Sequence, residues 1–232
     1  VLNVNDPVIA KKVAEGLSGT VVPFTVWGTL TEGLYYTGEE IVYRRKGVEE
    51  LYPVRDFKLR GVHNIENMMA VIAAARLVGV GKEVIMKTFS AFKGLAHRME
   101  FVRELDGVVY IDDSKGTNIG ALVMALKGTD TPVVLIAGGR DKGGDYGVLS
   151  DLVKEKVRAM VLIGEARFRI KDALGGLTET VLAASLDEAV RIASGRAVEG
   201  DAVLLCPACS SFDMFKSYKE RGELFRALVE AL

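Results

Sequence analysis

Short, continuously apolar runs alternate with stretches of helical periodicity from residue 108 to the end of the chain, and this alternation most constrains the fold. Apolar strands separated by helices form parallel sheets that are covered on both faces. Asp106-Gly107 adds a hairpin turn that pairs a strand over 98–105 with one over 108–112. The sequence therefore predicts a complete Rossmann-like α/β domain over residues 95–232. Further strands are predicted at 133–137, 159–163 and 202–206, and helices at 119–127, 147–157, 165–174, 186–194, 212–219 and 222–232.

Residues 1–94 have a different, strand-rich pattern that does not complete a domain. Thr37-Gly38 predicts a hairpin between strands at 34–36 and 40–43. Helices are expected from Pro7 to about residue 17, over 63–78 with Asn64 as N-cap and Leu77 on the buried face, and over 82–92. The charged residues at 44–50 are interpreted as a solvated edge. Because Val1 opens within a strand and is not methionine, we expect an internal or C-terminal piece of a longer protein.

The composition excludes several classes of protein. Among 232 residues, 49% are hydrophobic and 26% charged, which is typical of a folded globular chain. The 30 basic and 31 acidic residues are interspersed, so the basic face of a nucleic-acid-binding protein is not expected. No apolar run reaches the length of a membrane span, and no secretory signal opens the chain. With two cysteines, a reducing cytoplasm is the expected location.

Three of the predicted parallel strands end in unusually polar stretches. The first, Asp112-Asp113-Ser114-Lys115-Gly116-Thr117-Asn118, joins a strand to a helix. The second is glycine-rich and carries Arg140 and Lys142, and the third covers residues 206–213. Ligands of such sheets bind outside the carboxyl ends of the strands, where helix N-termini attract anions. We therefore expect these stretches to converge on one cationic site for carboxylate or phosphate groups.

A structural interpretation stands beside the functional one at two of these stretches. Thr117 or Asn118 would be an ordinary N-cap, and Ser210 or Ser211 would cap the helix predicted over 212–219. Ser210 and Asp213 also have the spacing of a capping box. The chain contains neither the G-x-G-x-x-G dinucleotide motif after a strand nor the G-x-x-x-x-G-K-[ST] sequence of a nucleotide P-loop.

Cys206 and Cys209 form a C-x-x-C sequence between a predicted strand and a predicted helix. Thioredoxin-type redox motifs occupy this kind of position, although the order of elements here differs from that of thioredoxin. A tetrahedral zinc site would need further ligands, and His63 and His97 lie far away in sequence. We predict buried, inert thiols, with a redox role as the alternative.

Five motifs, in order along the chain, resemble those of the Mur ligases. The form D-S-K-x-T-N, together with F-K-x-[YF]-x-x-R-G over residues 215–222, is similar to the members that add D-glutamate. Sister ligases that add other residues, and the folylpolyglutamate synthetases, have histidine-containing sequences in place of D-S-K-x-T-N. The resemblance covers nearly all of the chain. Its five motifs are His63-Asn64-Ile65-Glu66-Asn67, Ala96-His97-Arg98-Met99-Glu100, residues 112–118, Gly138-Gly139-Arg140-Asp141-Lys142 and residues 207–213.

This resemblance implies a three-domain, monomeric, cytoplasmic enzyme of peptidoglycan synthesis, and hence of cell-wall biogenesis, cell shape and cell division. ATP would phosphorylate the carboxylate of UDP-N-acetylmuramoyl-L-alanine, and the amine of D-glutamate would then attack the acyl phosphate. Residues 1–94 would be the C-terminal part of a truncated central ATPase domain, and residues 95–232 the C-terminal, amino-acid-binding domain. The P-loop and the Mg²⁺ ligands are expected upstream, so no metal ligand is assigned within this chain, which alone is expected to be inactive.

The resemblance also implies roles for individual residues. Lys115, Asp113 and Arg98 are the expected catalytic residues. A dicarboxylic amino acid needs two anion sites, which agrees with the cations and helix N-termini of the polar strand ends. ATP is expected to contact Asn64, Asn67, Arg98, Asp113 and Lys115, and D-glutamate is expected to contact Thr117, Lys142, Ser211, Phe212 and Tyr218.

Two departures from the family pattern and two alternatives accompany this interpretation. Gly116 stands where the family more often has alanine, which is interpreted as a mild change that loosens the turn, and Phe212 replaces a frequent leucine. The chain could instead be a non-catalytic module that binds an anion or a partner, or part of a related Mur or folylpolyglutamate-type ligase. The choice of a D over an L amino acid is based on the resemblance alone.

Overall fold

The computed structural model describes residues 1–57, 59, 61–92 and 94–232, and the chain divides into two compact units, Val1–Gly94 and Leu95–Leu232. The first unit has one five-stranded sheet. Its strands are β1 (Leu2–Asn3), β2 (Pro23–Thr25), β3 (Gly33–Tyr36), β4 (Glu40–Arg45) and β5 (Val48–Pro53), which lie side by side in that order. Strands β1, β2 and β3 are parallel, whereas β3, β4 and β5 are antiparallel.

Three helices accompany this sheet: α1 (Pro7–Ala14), α2 (Val62–Leu77) and α3 (Lys82–Ala91). Helix α2 packs one face on the sheet, and Ile65, Met69 and Ile72 are among its buried residues. The expectation that Leu77 is buried is wrong, since its side chain is 45% exposed at the last position of the helix. Asn64 is not the N-cap either, because α2 begins earlier and is preceded by Gly61.

The hairpin predicted at Thr37-Gly38 is confirmed, but the charged segment after it forms a second hairpin that the sequence interpretation did not contain. Strand β5 pairs with β4, and Arg44 forms an ion pair with Glu49 opposite it at 2.5 Å. The charged side chains of both strands conceal the alternation of the pattern. Glu49 is exposed, whereas Glu50 lies on the same face as the fully buried Tyr52, accepts from its hydroxyl at 2.6 Å and pairs with Arg76 at 2.9 Å.

The second unit contains a six-stranded sheet in the order β10-β9-β8-β11-β7-β6. Five of the strands are parallel, and the edge strand β6 is antiparallel to β7, so the expected α/β fold with a mostly parallel sheet is confirmed. Their bounds are Glu100–Leu105 for β6, Val108–Asp112 for β7, Val133–Gly138 for β8, Val157–Ile163 for β9, Glu179–Leu182 for β10 and Ala202–Leu205 for β11.

Helices cover both faces of this sheet. Side chains of α4 (Ile119–Lys127), α5 (Ser150–Lys156) and α6 (Arg167–Leu174) pack with Leu135 and its neighbours on one face. Side chains of α7 (Leu186–Arg196) and α8 (Tyr218–Glu230) pack with Ile136 on the other. Since successive residues of a strand point to opposite faces, a strand buried on both sides must be apolar throughout. Within the described residues, no helix is both long and apolar enough to cross a bilayer.

The second unit departs from the predictions at strand β10 and over residues 212–219. Strand β10 was not predicted, because it has four residues, one of them exposed, at the edge of the sheet. The helix expected over 212–219 is absent, since the chain there makes one turn onto the carbonyl of Ser211. The helix that follows, α8, is capped by Ser217, whose hydroxyl accepts from the N–H of Glu220 at 3.2 Å. Asp213 accepts from the N–H of Glu165 and closes no capping box.

Candidate functional site

Three polar loops lie at one edge of the second sheet because β8, β11 and β7 are adjacent parallel strands. We call them the lysine loop (residues 113–118), the glycine loop (residues 139–145) and the cysteine loop (residues 206–217). Backbone hydrogen bonds join them. The N–H of Ala208 donates to the carbonyl of Gly116 at 2.9 Å, and the N–H of Arg140 donates to the carbonyl of Ser210 at 2.8 Å. The cysteine loop therefore lies between the other two.

A cavity of about 300 Å³ opens between the three loops. Lys142 lies at this cavity, and its ammonium group donates to the carbonyl oxygen of Thr117 at 3.1 Å. The first turn of α4 also borders the cavity, and Asn118 caps that helix by accepting from the N–H of Ala121 at 2.8 Å. A lysine beside a helix N-terminus attracts anions. The lining residues are Asn118, Ile119, Gly120, Lys142, Gly144, Tyr146 and Ala208.

Other residues expected to bind the same ligand lie elsewhere on these loops. Ser211 is 2% exposed, and its carbonyl holds the turn that follows it. Phe212 is 64% exposed and lines a separate, shallow depression of about 450 Å³ with residues 213–216 and 220. Tyr218 is half-buried, and its carbonyl accepts from the hydroxyl of Ser114 at 2.7 Å. The described lining of the 300 Å³ cavity thus includes Lys142 but not Ser211, Phe212 or Tyr218.

Asp113, which was expected to be catalytic, has both carboxylate oxygens in contact with protein donors. The N–H of Met99 donates to one oxygen and the thiol of Cys206 to the other, each at 3.1 Å. Burial raises the pKa of the Asp113 carboxyl group, while these two hydrogen bonds and the charge of Arg98 oppose the rise. Arg98 and Lys115 themselves are exposed.

A buried pair formed by His97 and Asp112 braces the lysine loop. Nδ1 of His97 lies 2.7 Å from one carboxylate oxygen of Asp112, whose other oxygen accepts from the N–H of Ser114 at 2.8 Å. The carbonyl of His97 accepts from the N–H of Lys115 at 2.9 Å. The position of the Lys115 backbone is therefore set by Asp112, at the end of β7, and by His97, which precedes β6.

Ligand atoms of His97, Glu100 and Asp112 lie within 4.8 Å of one another, and among the described residues they could hold a metal ion. Each is already engaged: His97 with Asp112, and Glu100 with the N–H of His97 and with Arg226. Mg²⁺ prefers six oxygen ligands, several of them waters. A buried cluster that contains an imidazole does not fit that preference, so this cluster gives no reason to assign a metal ligand here.

Arg221 belongs to the motif over residues 215–222 but was given no role, and the structure places its side chain between the lysine loop and the cysteine loop. Its side chain is 0% exposed, and it donates to the hydroxyl and the carbonyl of Ser114 at 2.9 and 2.8 Å, and to the carbonyl of Cys209 at 3.4 Å. Burial lowers the pKa of its guanidinium to about 10. The sequence signal was its place in the motif over residues 215–222, because position 221 lies between the two helices predicted there and on the buried face of α8 in the structure.

The two cysteines are free and buried, as predicted. Burial raises the pKa of the Cys206 thiol well above its usual value, and the nearby carboxylate of Asp113 adds to the effect. Burial also raises the pKa of Cys209. Redox-active cysteines have depressed thiol pKa values, so these shifts are opposite to those of a thioredoxin-type site.

Asn64 and Asn67 lie in the first unit, on the first turns of α2. Asn64 is half-buried and Asn67 is exposed. Their expected contact with a nucleotide stays a prediction, as do the expected roles of the residues on the loops of the second unit.

Comparison with known proteins gives matches over the whole chain. Residues 97–209 match the family described as Mur ligase, glutamate ligase domain. The UDP-N-acetylmuramoylalanine--D-glutamate ligase of Geotalea uraniireducens (strain Rf4) is 49% identical over 232 residues, which is 100% of this chain and 51% of the relative. The protein of the same name from Geobacter metallireducens (strain ATCC 53774 / DSM 7210 / GS-15) is 48% identical with the same coverage. The chain thus spans about half the length of the curated relatives that it matches.

Solved structures of lower sequence identity share the fold. A pseudomurein peptide ligase type C from Methanothermus fervidus matches with a TM-score of 0.71 at 14% identity, over 99% of this chain and 56% of that one. MurF from Acinetobacter baumannii matches with a TM-score of 0.68 at 17% identity, over 99% and 51% of the two chains. At these identities the likeness shows the fold alone.

Proposed function

Because this chain belongs to the Mur ligase family, we propose that it forms part of an ATP-dependent ligase that adds D-glutamate to UDP-N-acetylmuramoyl-L-alanine in peptidoglycan synthesis. Relatives at 48 and 49% identity bear the name of a D-glutamate ligase. The observation that carries the proposal is the position of Lys142, whose ammonium group lies beside Thr117 at a cavity bordered by the N-terminus of α4.

This cavity suits one carboxylate of an amino acid. The ammonium of Lys142 supplies a charge-assisted hydrogen bond, and the first turn of α4 supplies a favourable dipole. We assign Thr117, whose carbonyl accepts from Lys142, to the same ligand, as the family resemblance implies. We assign Ser211, Phe212 and Tyr218, on the cysteine loop and α8, to the remainder of D-glutamate, as the family resemblance implies.

The nucleotide is assigned to Lys115, Asp113 and Arg98 of the second unit and to Asn64 and Asn67 of the first. ATP supplies the phosphoryl group that turns the acceptor carboxylate into an acyl phosphate. The amine of D-glutamate then forms the amide bond, loses a proton and displaces phosphate. The exposed cations Lys115 and Arg98 offset negative charge where the phosphoryl group is transferred. Mg²⁺, monomeric state and cytoplasmic location are further parts of the proposal that come from the family.

Titration calorimetry with the 232-residue chain tests the proposal. D-glutamate should bind, D-glutamine should bind at least roughly tenfold more weakly because it lacks the second carboxylate, and L-lysine should not bind. Inorganic phosphate and acetate are the controls for the alternative of a general anion-binding module. Equal affinity for D-glutamate, D-glutamine and acetate would refute recognition of a diacid.

A second measurement addresses catalysis. A chain that joins these residues to the other half of a relative should release phosphate from ATP when both UDP-N-acetylmuramoyl-L-alanine and D-glutamate are present. The same assay with L-lysine in place of D-glutamate is the matched control. Phosphate release that does not depend on D-glutamate would contradict the assignment of the amino-acid substrate.

A further inference from the structure

The side chain of Tyr146 lies below the cavity and connects two loops. Its ring is 4% exposed and lines the cavity together with Lys142. Its hydroxyl lies 3.2 Å from a carboxylate oxygen of Asp141, in the glycine loop, and 3.1 Å from the sulfur of Cys209, in the cysteine loop. One buried phenol thus joins the segment that carries Lys142 to the neighbouring loop.

Asp141, which precedes Lys142, organises the glycine loop. One of its oxygens accepts from the N–H of Gly143 at 3.0 Å as well as from Tyr146, and the other forms an ion pair with Arg169 of α6. Arg169 also donates to the carbonyl of Gly144 at 3.3 Å. Burial acts to raise the pKa of Asp141, but these hydrogen bonds and the charge of Arg169 lower it. Asp141 is therefore held as a carboxylate, and its two oxygens can accept from Gly143, Tyr146 and Arg169 at the same time.

The side chain of Lys142 itself is exposed, and its ammonium group reaches the carbonyl of Thr117 on the lysine loop. A long exposed lysine loses much rotamer freedom when it is held in one place. The position of its backbone therefore decides whether the ammonium group can reach a ligand at the N-terminus of α4. That backbone position depends on Asp141 and, through it, on Tyr146.

We propose that Tyr146 is a positioning residue that holds Lys142 at the cavity by joining Asp141 to Cys209, and that it thereby sets the preference for a diacid over a monoacid. The identity of the ligand rests on the proposed function, whereas the role of Tyr146 in positioning the glycine loop does not. In this proposal Lys142 meets the side-chain carboxylate of the ligand. A substitution that removes only the hydroxyl of Tyr146 should therefore loosen the glycine loop and weaken recognition of that carboxylate.

The first experiment measures hydrogen exchange of the backbone amides of residues 139–145 in the 232-residue chain. Tyr146→Phe should speed exchange there by roughly fivefold, because the net contribution of one hydrogen bond to stability is about 1 kcal/mol. The matched control is Tyr110→Phe, because Tyr110 is equally buried and its hydroxyl donates to Ser194 at 2.9 Å on the opposite face of the sheet. The control should leave exchange in the glycine loop unchanged.

The second experiment titrates D-glutamate and D-glutamine into the same three proteins. Tyr146→Phe should weaken D-glutamate binding by roughly fivefold and leave D-glutamine nearly unaffected, whereas Tyr110→Phe should change neither. A general loss of stability would weaken the binding of both ligands by the same factor. A change in the ratio of the two affinities therefore reports the position of Lys142 and not the stability of the fold. Arg169→Met, which removes the other side-chain partner of Asp141, should act in the same direction.

The outcomes separate this inference from the proposed function. If the unaltered chain binds D-glutamate but Tyr146→Phe changes neither exchange nor affinity, the positioning role is overturned and the proposed function stands. Faster exchange in the variant without a change in the ratio of affinities overturns the role in recognition. If the unaltered chain binds neither amino acid while exchange responds to Tyr146→Phe, the diacid assignment is wrong and only the connection between the loops is supported.

Discussion

A β-carbon on Gly116 would lie 2.6 Å from the sulfur of Cys206 and 2.5 Å from a carboxylate oxygen of Asp113. The thiol of Cys206 donates to that same oxygen, and the pair fills the space that a methyl group would occupy. Gly116 is buried, so its presence does not simply loosen the turn, and the earlier interpretation of this departure from the family pattern is wrong. The glycine allows close packing of the lysine loop on the cysteine loop.

Gly116→Ala should lower the free energy of unfolding by about 2 kcal/mol, because overpacking a buried site forces its neighbours to move. Urea denaturation of the 232-residue chain measures this change. Gly176→Ala is the matched control, since a β-carbon there would meet nothing within 4 Å. A loss as small as that of the control would show that the loops adapt without cost.

Gly116→Ala and Cys206→Ala should be coupled, because the second substitution removes the sulfur that the new methyl group meets. The free energy of unfolding of the double variant should exceed the value expected from the sum of the two single effects by about 1 kcal/mol or more, as is usual for residues in contact. The four proteins of a double-mutant cycle give this value by urea denaturation. Strict additivity would mean that the two side chains do not share one space.

Arg221→Met should lower the free energy of unfolding by about 3 kcal/mol, because it leaves the buried carbonyls of Ser114 and Cys209 without their donor. Arg191→Met is the control. Arg191 forms an exposed ion pair with Asp187, and such pairs contribute about 0.5 kcal/mol or less. Chemical denaturation at neutral pH compares the two, and equal losses would rule out a connecting role for Arg221.

Lys142→Ala should weaken binding of D-glutamate by roughly tenfold or more, since a charge-assisted hydrogen bond to the ligand is lost. Lys127→Ala, at the exposed C-terminal end of α4, should leave the affinity unchanged. Calorimetry of both variants measures the effect. An unchanged affinity in Lys142→Ala would remove this lysine from the proposed site.

The buried thiols should make the fold less stable in alkali. Their folded-state pKa values are raised above those of the unfolded chain, so the unfolded chain releases thiol protons first as the pH rises. This contribution to stability is complete below the unfolded thiol pKa of about 8.5 and is lost progressively above it. Urea midpoints from about pH 7 to about pH 10 should fall more steeply for the natural chain than for Cys206→Ala with Cys209→Ala.

Chemical modification gives an independent check on the same thiols. Iodoacetamide should modify neither cysteine in the folded chain at neutral pH and both in denaturant, because the reactive species is the exposed thiolate. Mass spectrometry of the two samples counts the modified residues. Rapid modification of the folded chain would restore the redox alternative.

Local patterns predicted much of the secondary structure. Asp106-Gly107 has positive φ at both positions, which is the conformation that this dipeptide favours in a two-residue hairpin. Helix α4 begins and ends at the predicted residues, because Asn118 caps it and Gly128 follows its last turn. The segment over 212–219 was mispredicted because serine and aspartate at capping distances can also form a turn.

The sequence by itself determined the α/β class, the hairpins at Thr37-Gly38 and Asp106-Gly107 and the three polar strand ends, because apolar periodicity and turn residues act over a few positions. The sequence also predicted that these strand ends converge, but only the tertiary structure decided that β8, β11 and β7 are neighbours, since the order of strands in the sheet differs from their order in the chain. The tertiary structure also decided that Arg221 contacts Ser114, 107 positions away, and that Tyr146 contacts Cys209, 63 positions away. Such contacts depend on the packing of the whole domain, which no local pattern specifies.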